Sequence, residues 1–326
     1  MSRVIRLENL NEDFFKKNKV VAVIGFFDGI HLGHQKIIKD CINRAREIGG
    51  ISVVFTFDKP PKNIIMGRQY KRLITSHYDK LCLINQIGVD YIVVAKFESN
   101  FAQLEPEEFC TKILIERLNI KELFIGKGFR FGRNAKGNVD FLRLFFKDYF
   151  IKINEVPIFK IHGKPVSSTS IREFYSKGDI ENIIAFLGRI PFVTGRVVKG
   201  DSRGRIIGFP TANIDVFEKY VVPKDGVYFG WTSIFKKGGI CPKSYVKTEE
   251  KLPSLINVGK NPTFKGKRRW IETHIIDFKE DIYNKKIKVY FFKMLREEKK
   301  FKDKDELVRQ IRHDLDCARE YIKSYS

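Results

Sequence analysis

Between residues 20 and 187, short β-branched apolar runs alternate with stretches of helical spacing, and that alternation leaves few folds open. The run Val20–Ile24 ends at Gly25. After a glycine-containing turn, residues 33–48 place Ile37, Ile38, Cys41, Ile42 and Ala45 at helical spacing and close at Gly49 and Gly50. A second buried-type strand is predicted at Ile51–Phe57, and helical patterns at 76–87 and 106–118 then alternate with strands at Tyr91–Ala95 and 122–125. Units in this order predict an α/β domain with a parallel, doubly wound, Rossmann-like sheet and helices on both faces.

From about Pro191 the rhythm changes. Runs at Phe192–Val198, 226–235, 270–278 and 286–294, separated by Gly-, Pro- and Lys-rich turns, predict a small antiparallel β-barrel. Residues 304–323 carry Leu307, Ile311, Leu315, Ala318 and Ile322 at helical spacing, as a terminal helix packed on that barrel would. The shift in pattern divides the chain into domains 1–187 and 188–326, and a length of 326 residues with 43% hydrophobic content suits two cores. The polar stretch 241–254 reads as a surface hairpin loop.

The longest apolar run, 20–27 with Gly25 inside it, falls far short of the about 20 residues that cross a bilayer, so no membrane partner is expected. The first ten residues mix Arg3, Arg6 and Glu8 with apolar residues rather than forming a signal sequence, which predicts a cytoplasmic protein. Five scattered cysteines without a CxxC pair argue for reduced thiols and against a disulfide framework or a zinc knuckle. The net charge of +22 would draw polyanions, but the lysine excess is spread along the chain, as on a solvated surface, and nucleic acid is not the expected partner. Oligomeric state is not legible.

Residues 25–34 join a buried strand to a helix start, and in open α/β sheets ligands sit at the carboxyl ends of strands. A helix start offers unpaired N–H groups and partial positive charge to an anion, and Gly33 carries no side chain to block approach. Gly25, Phe27, Asp28, Gly29 and Gly33 form the candidate phosphate cradle, and His31 and His34 can donate imidazole N–H bonds to the same phosphate. A structural histidine, or a metal held by the pair, are the alternatives, although no other His or Cys cluster supplies further ligands.

The stretch FDGIHLGH resembles the HxGH signature of the nucleotidyltransferase superfamily, and with the flanking GFFDG and HQ it resembles bacterial bifunctional riboflavin kinase/FMN adenylyltransferases, or FAD synthetases, over nearly the whole chain. Residues 167–172, SSTSIR, resemble that family's SSTxIR: a hydroxyl-rich loop with Ser168 and Thr169 opening a helix, and Arg172 on its first turn to reach ATP phosphates bidentately. Two departures stand out. Pro60 occupies the histidine position of the family's TFxPHP segment, and Gly128 stands where GxDFxFG or GxNFxFG carries Asp or Asn. They imply altered substrate contact in the adenylyltransferase half, with a riboflavin kinase alone as the alternative.

Gly195, Gly200, Gly204 and Gly208 punctuate residues 194–213, with Lys199, Arg203 and Arg205 between them, a segment suited to wrapping phosphates with backbone N–H groups. It ends in GFPTAN, where Pro210 leads a turn and Thr211 and Asn213 are hard oxygen donors fit for one Mg2+ on ATP phosphates; the plain alternative is a Pro-led turn with polar caps. On a strand, Trp270, Glu272, His274, Ile276 and Phe278 share one face; if it points inward, Glu272 needs a ligand hydroxyl or a cation, and if outward it is an ordinary edge-strand acid. GFPTAN resembles the riboflavin kinase motif, and the resemblance of ExH followed by DF implies that Glu272 is the general base for riboflavin's terminal ribityl hydroxyl. Residues 257–264 and 295–301 resemble the family's NxGxxPTF and LRxExxF, flavin-site and barrel-closing elements. The resemblance as a whole implies riboflavin, FMN, FAD and ATP as ligands. A nucleic-acid binder on an old enzyme scaffold would instead bind RNA or DNA in a salt-sensitive way without turning over flavin.

Overall fold

The structure, a computed structural model, describes residues 2–61, 64, 71–200, 203–215, 220–235, 250–260 and 269–325, and its chain contacts group into two units, Met1–Ser168 and Thr169–Ser326.

In the first unit, β1 (Arg3–Arg6), β2 (Val20–Ile24), β3 (Ile51–Phe57), β4 (Tyr91–Ala95), β5 (Ile120–Gly126) and β6 (Lys152–Val156) form one sheet in the order β1-β4-β3-β2-β5-β6. Every pairing is parallel, as the alternating pattern predicted. β2 and β4 are buried along their whole length, which is why they read as continuous apolar runs. β1 and β6 escaped the sequence reading because they are edge strands with charged residues such as Arg3, Arg6, Lys152 and Glu155 among the apolar ones.

The connecting helices are α1 (Glu12–Lys16), α2 (Leu32–Glu47), α3 (His77–Ile87), α4 (Ser99–Ala102), α5 (Pro106–Glu108) and α6 (Val139–Phe145). The helix expected at 106–118 runs on from α5 as a wider π-helix, Phe109–Arg117. On α2, Ile37, Ile38, Cys41, Ile42 and Ala45 are the buried residues. The chain leaves β2 for β3 on one side and returns to β5 on the other, so the carboxyl end of β2 is the point where the winding reverses and a crevice opens. A short hairpin, β7 (Lys160–Ile161) with β8 (Lys164–Pro165), precedes the second unit.

Helices α7 (Ser168–Lys177) and α8 (Ile180–Leu187) lead into a closed barrel of six antiparallel strands. They are β9 (Phe192–Val198), β10 (Ala212–Asp215), β11 (Gly226–Ile234), β12 (Leu252–Lys260), β13 (Arg269–Ile275) and β14 (Lys286–Arg296), with a short helix α9 (Arg203–Ile206) before β10. The sequence missed β10, which is four residues long, and β12, whose first residues Leu252 to Ser254 belong to the ladder rather than to the expected loop. Residues 241–249 of that loop lie outside the described residues. β13 stops at Ile275 instead of 278 because Asp277 adopts a left-handed φ of 56° that breaks the strand.

The interior is filled by Ile214, Tyr228, Ile256, Val258, Ile271, Ile287, Val289 and Phe291. Three hydroxyls among them satisfy one another: Ser254 Oγ donates to Thr232 Oγ1 at 2.9 Å, and Thr232 and Thr273 share a bond of 2.9 Å. The terminal helix α10 (Lys304–Tyr325) lays Ile311, Leu315, Ala318, Tyr321 and Ile322 on Val227, Phe229 and Leu255 of β11 and β12. Arg296, at the end of β14, pins the helix by donating from Nε and Nη2 to the buried carboxylate of Asp314 at 3.0 and 2.9 Å.

The barrel closes tightly at Gly230, where β11 shifts register against β14 and a Cβ would fall 1.8 Å from the Tyr290 carbonyl oxygen. Gly230→Ala is expected to destabilise the barrel by about 1–3 kcal/mol in urea unfolding followed by tryptophan fluorescence. A loss under about 0.5 kcal/mol would show that the two strands part without strain.

Candidate active sites

The turn after β2 is shaped by contacts the sequence does not announce. Gly25 donates its N–H to the Phe55 carbonyl at 3.1 Å, and a Cβ there would sit 2.8 Å from the ring of Phe27. Phe27 and Ile30 are buried at φ of 57° and 41°, a left-handed conformation that costs on the order of 1 kcal/mol or more for a side-chain-bearing residue. Asp28 fixes this shape: its buried carboxylate accepts the N–H groups of Ile74 at 3.0 Å and Thr75 at 3.3 Å. Gly29 donates its N–H to Thr75 Oγ1 at 3.2 Å, and Ser168 Oγ donates to the Asp28 carbonyl at 2.9 Å. The Asp28 carboxylate and the Gly29 N–H, expected at the phosphate, thus bond to the 74–75 segment and hold the turn.

His31 caps α2. Its Nδ1 accepts the His34 N–H at 3.3 Å, which puts the proton of the neutral ring on Nε2. The His31 and His34 rings stack with centroids 3.6 Å apart, and Phe27 meets His34 edge-on at 5.2 Å. A Cβ on Gly33 would come 3.3 Å from the His31 ring, so this glycine makes room for the imidazole as much as for a phosphate. Stacked rings do not converge on one ion, and among the described residues no group of three or more His, Cys, Asp or Glu is placed to hold a metal.

Behind the turn lies Lys80 of α3, only 2% exposed. Its ammonium donates to the carbonyls of Phe57 at 2.7 Å and Phe26 at 3.1 Å and to Thr56 Oγ1 at 3.2 Å. A lysine in a helical segment reads as a surface residue, and nothing in the sequence singled it out. The neighbouring His77 is held neutral, its pKa lowered to about 4 by burial and by the Lys80 charge.

Thr169 and Arg172 lie on α7 in the second unit. Arg172 is half-buried, and as the fifth residue of α7 it belongs to the second turn rather than the first. Gly128 is exposed with φ of 79°, a conformation that Gly, Asn and Asp tolerate best, so this departure from the usual Asp or Asn preserves the backbone.

In the barrel, strand register does the positioning. Glu272 on β13 stands opposite Asn213 on β10 and opposite Asn257 on β12, so three polar side chains form one row across three strands, with Cβ atoms about 5 Å apart. The row, with Thr211, Trp270, Arg296 and Glu298 and with Ile311 and Asp314 of α10, lines a cavity of about 340 Å³. Of the two orientations left open for this strand, the outward one holds: Ile271, Thr273 and Ile275 fill the barrel interior, so Glu272 lies on the outer face, half-buried beneath the terminal helix. Glu298 and Asp314 also line the cavity.

Thr211 lines this cavity and also a second one of about 370 Å³, with Val197, Pro210, Ile275 and Tyr283. His274 Nδ1 donates to the Pro210 carbonyl at 2.8 Å and steadies the turn before β10. A Cβ on Gly200 would fall 2.1 Å from Asn213 Nδ2, so any larger residue there would push the Asn213 amide aside. Gly204 likewise lies under Phe209, whose N–H donates to the Gly204 carbonyl at 2.8 Å, and Gly208 takes a φ of 89°. Gly195 departs from expectation, being a buried ladder residue of β9 opposite Ile287 rather than part of a phosphate-wrapping loop. Lys199 is exposed, whereas the Arg205 side chain and residues 262–264 lie outside the described residues.

Residues 14–170 match the FAD synthetase family and residues 187–322 the riboflavin kinase family. The bifunctional riboflavin kinase/FMN adenylyltransferase of Bacillus subtilis is 35% identical over 94% of this chain and 93% of its own. That of Haemophilus influenzae is 33% identical over 92% and 94%. A crystal structure described as a macrolide-efflux protein from Streptococcus pneumoniae superposes with a TM-score of 0.82 at 29% identity, covering 97% of this chain and 98% of its own. Among the described residues no helix is long and apolar enough to cross a membrane.

The half-buried His77 makes the stability of the first unit depend on pH. Unfolded, the imidazole takes up a proton near pH 6.5, whereas folded it refuses one down to about pH 4, so stability is lost as pH falls through that window. The urea midpoint of the first unit is expected to drop between those pH values, and His77→Leu is expected to flatten the slope; an unchanged slope would assign the loss to another group.

Proposed function

Because the chain belongs to the bifunctional riboflavin kinase/FMN adenylyltransferase family, we propose that its two units divide two successive ATP-dependent transfers: riboflavin to FMN at the barrel, and FMN to FAD at the carboxyl end of the parallel sheet. The observation that carries the kinase half is the register that sets Glu272 beside Asn213 and Asn257 under a cavity, with Thr211 on the wall it shares with a second cavity. A volume of about 340 Å³ lies in the range of small-molecule sites, and Trp270, Phe301, Leu307 and Ile311 offer apolar walls to a flat flavin ring.

Riboflavin enters the first cavity and ATP the second. Glu272 takes the proton of the terminal ribityl hydroxyl as its oxygen attacks the γ-phosphorus, and ADP leaves. Thr211 Oγ1 and Asn213 Oδ1 are the pair that would hold Mg2+. Two hard protein oxygens with substrate phosphates completing the shell are the usual arrangement, and the wedging of the Asn213 amide against Gly200 keeps that donor in one place. The ion supplies charge neutralisation on the phosphates. Lys199, Gly204, Arg205, Gly208 and Pro210 are assigned to the nucleotide side of this site.

In the first unit, a phosphate oxygen of FMN attacks the α-phosphorus of a second ATP and pyrophosphate leaves. The Nε2–H of His31, the His34 ring and the N–H groups of Leu32 and Gly33 at the start of α2 stabilise the charge, while Gly25, Phe27, Asp28, Gly29 and Gly33 hold their geometry. Ser168, Thr169 and Arg172 are assigned to ATP through their SSTxIR motif. We assign adenylyl transfer to residues 1–187 and kinase activity to 188–326, supported by a riboflavin kinase match that starts at 187, and we place the enzyme in the cytoplasm, in keeping with the free thiols Cys41, Cys82, Cys110 and Cys317.

Wild-type protein given riboflavin, ATP and Mg2+ is expected to yield FMN and FAD. Glu272→Gln is expected to slow FMN formation by about 100-fold or more while sparing conversion of supplied FMN to FAD, and His31→Ala to do the reverse. Loss of both steps in either folded variant would defeat the two-site scheme. FMN formation without FAD from the wild type would favour a kinase alone, the reading that Pro60 and Gly128 suggest.

A further inference from the structure

Neither transfer uses the buried cation behind the phosphate turn. The ladder between β2 and β3 closes where Gly25 donates to the Phe55 carbonyl, and past that point Phe26 bends into the turn while Thr56 and Phe57 run on along β3. Lys80 reaches from α3 into this parting of the strands and bridges the Phe26 and Phe57 carbonyls; Thr56 Oγ1, which it also contacts, donates in turn to the Phe26 carbonyl at 3.3 Å. The ammonium stands 4.2 Å from the centroid of the Phe26 ring. Its hydrogen-bond partners are two carbonyls and a hydroxyl, all uncharged. An ammonium so enclosed is held at a cost in desolvation that an apolar side chain of the same length would not incur, so stability alone does not explain a lysine here.

We propose that Lys80 is a positioning residue of the adenylyl-transfer step: its ammonium extends the seam between β2 and β3 beyond the last ladder bond and fixes the backbone that presents His31 and the start of α2. The proposal rests on reading the turn as the adenylyl-transfer site. Burial pushes the ammonium down to about 7, while the charges of Asp28 in the turn after β2 and Asp58 just past β3 pull it upward, and His77 on the same helix stays neutral. Once deprotonated, the amine has two N–H groups for three acceptors, so it either releases one or takes the Thr56 proton on its lone pair, which breaks the Thr56 bond to the Phe26 carbonyl. Adenylyl transfer therefore falls as pH rises through about 7, whereas the kinase step in the other unit does not. Stability moves the other way: unfolded lysine keeps its proton up to about pH 10.5, so the folded first unit becomes more stable as pH climbs from 7 toward that value. A residue that served stability alone would drive both in one direction.

The test follows both activities in one preparation of full-length enzyme from pH 6.5 to 9, for wild type and Lys80→Met, together with amide hydrogen exchange at residues 25–29. In Lys80→Met, kcat for FAD formation is expected to fall about a hundredfold, as an ångström of misplacement does, with a smaller change in KM for ATP and kinase kcat within about twofold of wild type. The alkaline decline should vanish and exchange at Gly25 should quicken. FAD formation within about threefold of wild type, unchanged exchange, or an alkaline decline that persists in the variant would overturn the proposal. Should Lys80→Met not fold, the wild-type profile decides by itself, since a flat FAD-forming rate across pH 7 overturns it. If the wild type makes no FAD, the adenylyl-transfer reading fails, and the exchange at Gly25 still decides whether Lys80 holds the seam.

Discussion

β2 lies between β3 and β5 with its whole length buried, so the one part of it that can meet a ligand is its carboxyl end. Everything chemical in the first unit follows from that enclosure. The chain must turn there within a few residues and start α2, and it does so through left-handed Phe27 and Ile30, positions that would relax if nothing held them. Asp28, Gly29 and Lys80 hold them, each by bonds to backbone or hydroxyl groups of neighbouring segments rather than to solvent. His31 can then cap the helix with one ring nitrogen.

The barrel solves a different problem, that of keeping an acid accessible yet dry. Its interior is closed by apolar side chains and a short chain of hydroxyls, leaving no room for a ligand. The polar row of Asn213, Glu272 and Asn257 is therefore on the outside, and the terminal helix, seated on Val227, Phe229 and Leu255 and tied down by Arg296 and Asp314, turns that surface into a cavity wall. The helix is part of the site rather than an appendage to the fold.

How much of this was legible differs by element. Strands buried on both faces and the apolar stripes of α2 and α10 were plain, because burial writes itself into composition. Edge strands β1 and β6 and the short β10 were hidden by charge and brevity, and β12 by the Pro253 and Ser254 at its start. For β13, period-two alternation revealed two faces but not which was inner: Trp270 and Ile276 made the Glu272 side look apolar, while Thr273 enters the core because its hydroxyl is paired there. Gly195 looked like a loop glycine and is a ladder residue, and Asp28 and Gly29 looked like phosphate ligands while bonding to a segment some 45 positions away. Such partners are set by tertiary contact, and a lone sequence carries no mark of them.

Thr211 fronts both barrel cavities, one on either side of the turn into β10. Two molecules that meet across a single threonine can each arrive through its own doorway. On the proposed assignment of flavin to one cavity and nucleotide to the other, the two openings impose no queue on the co-substrates.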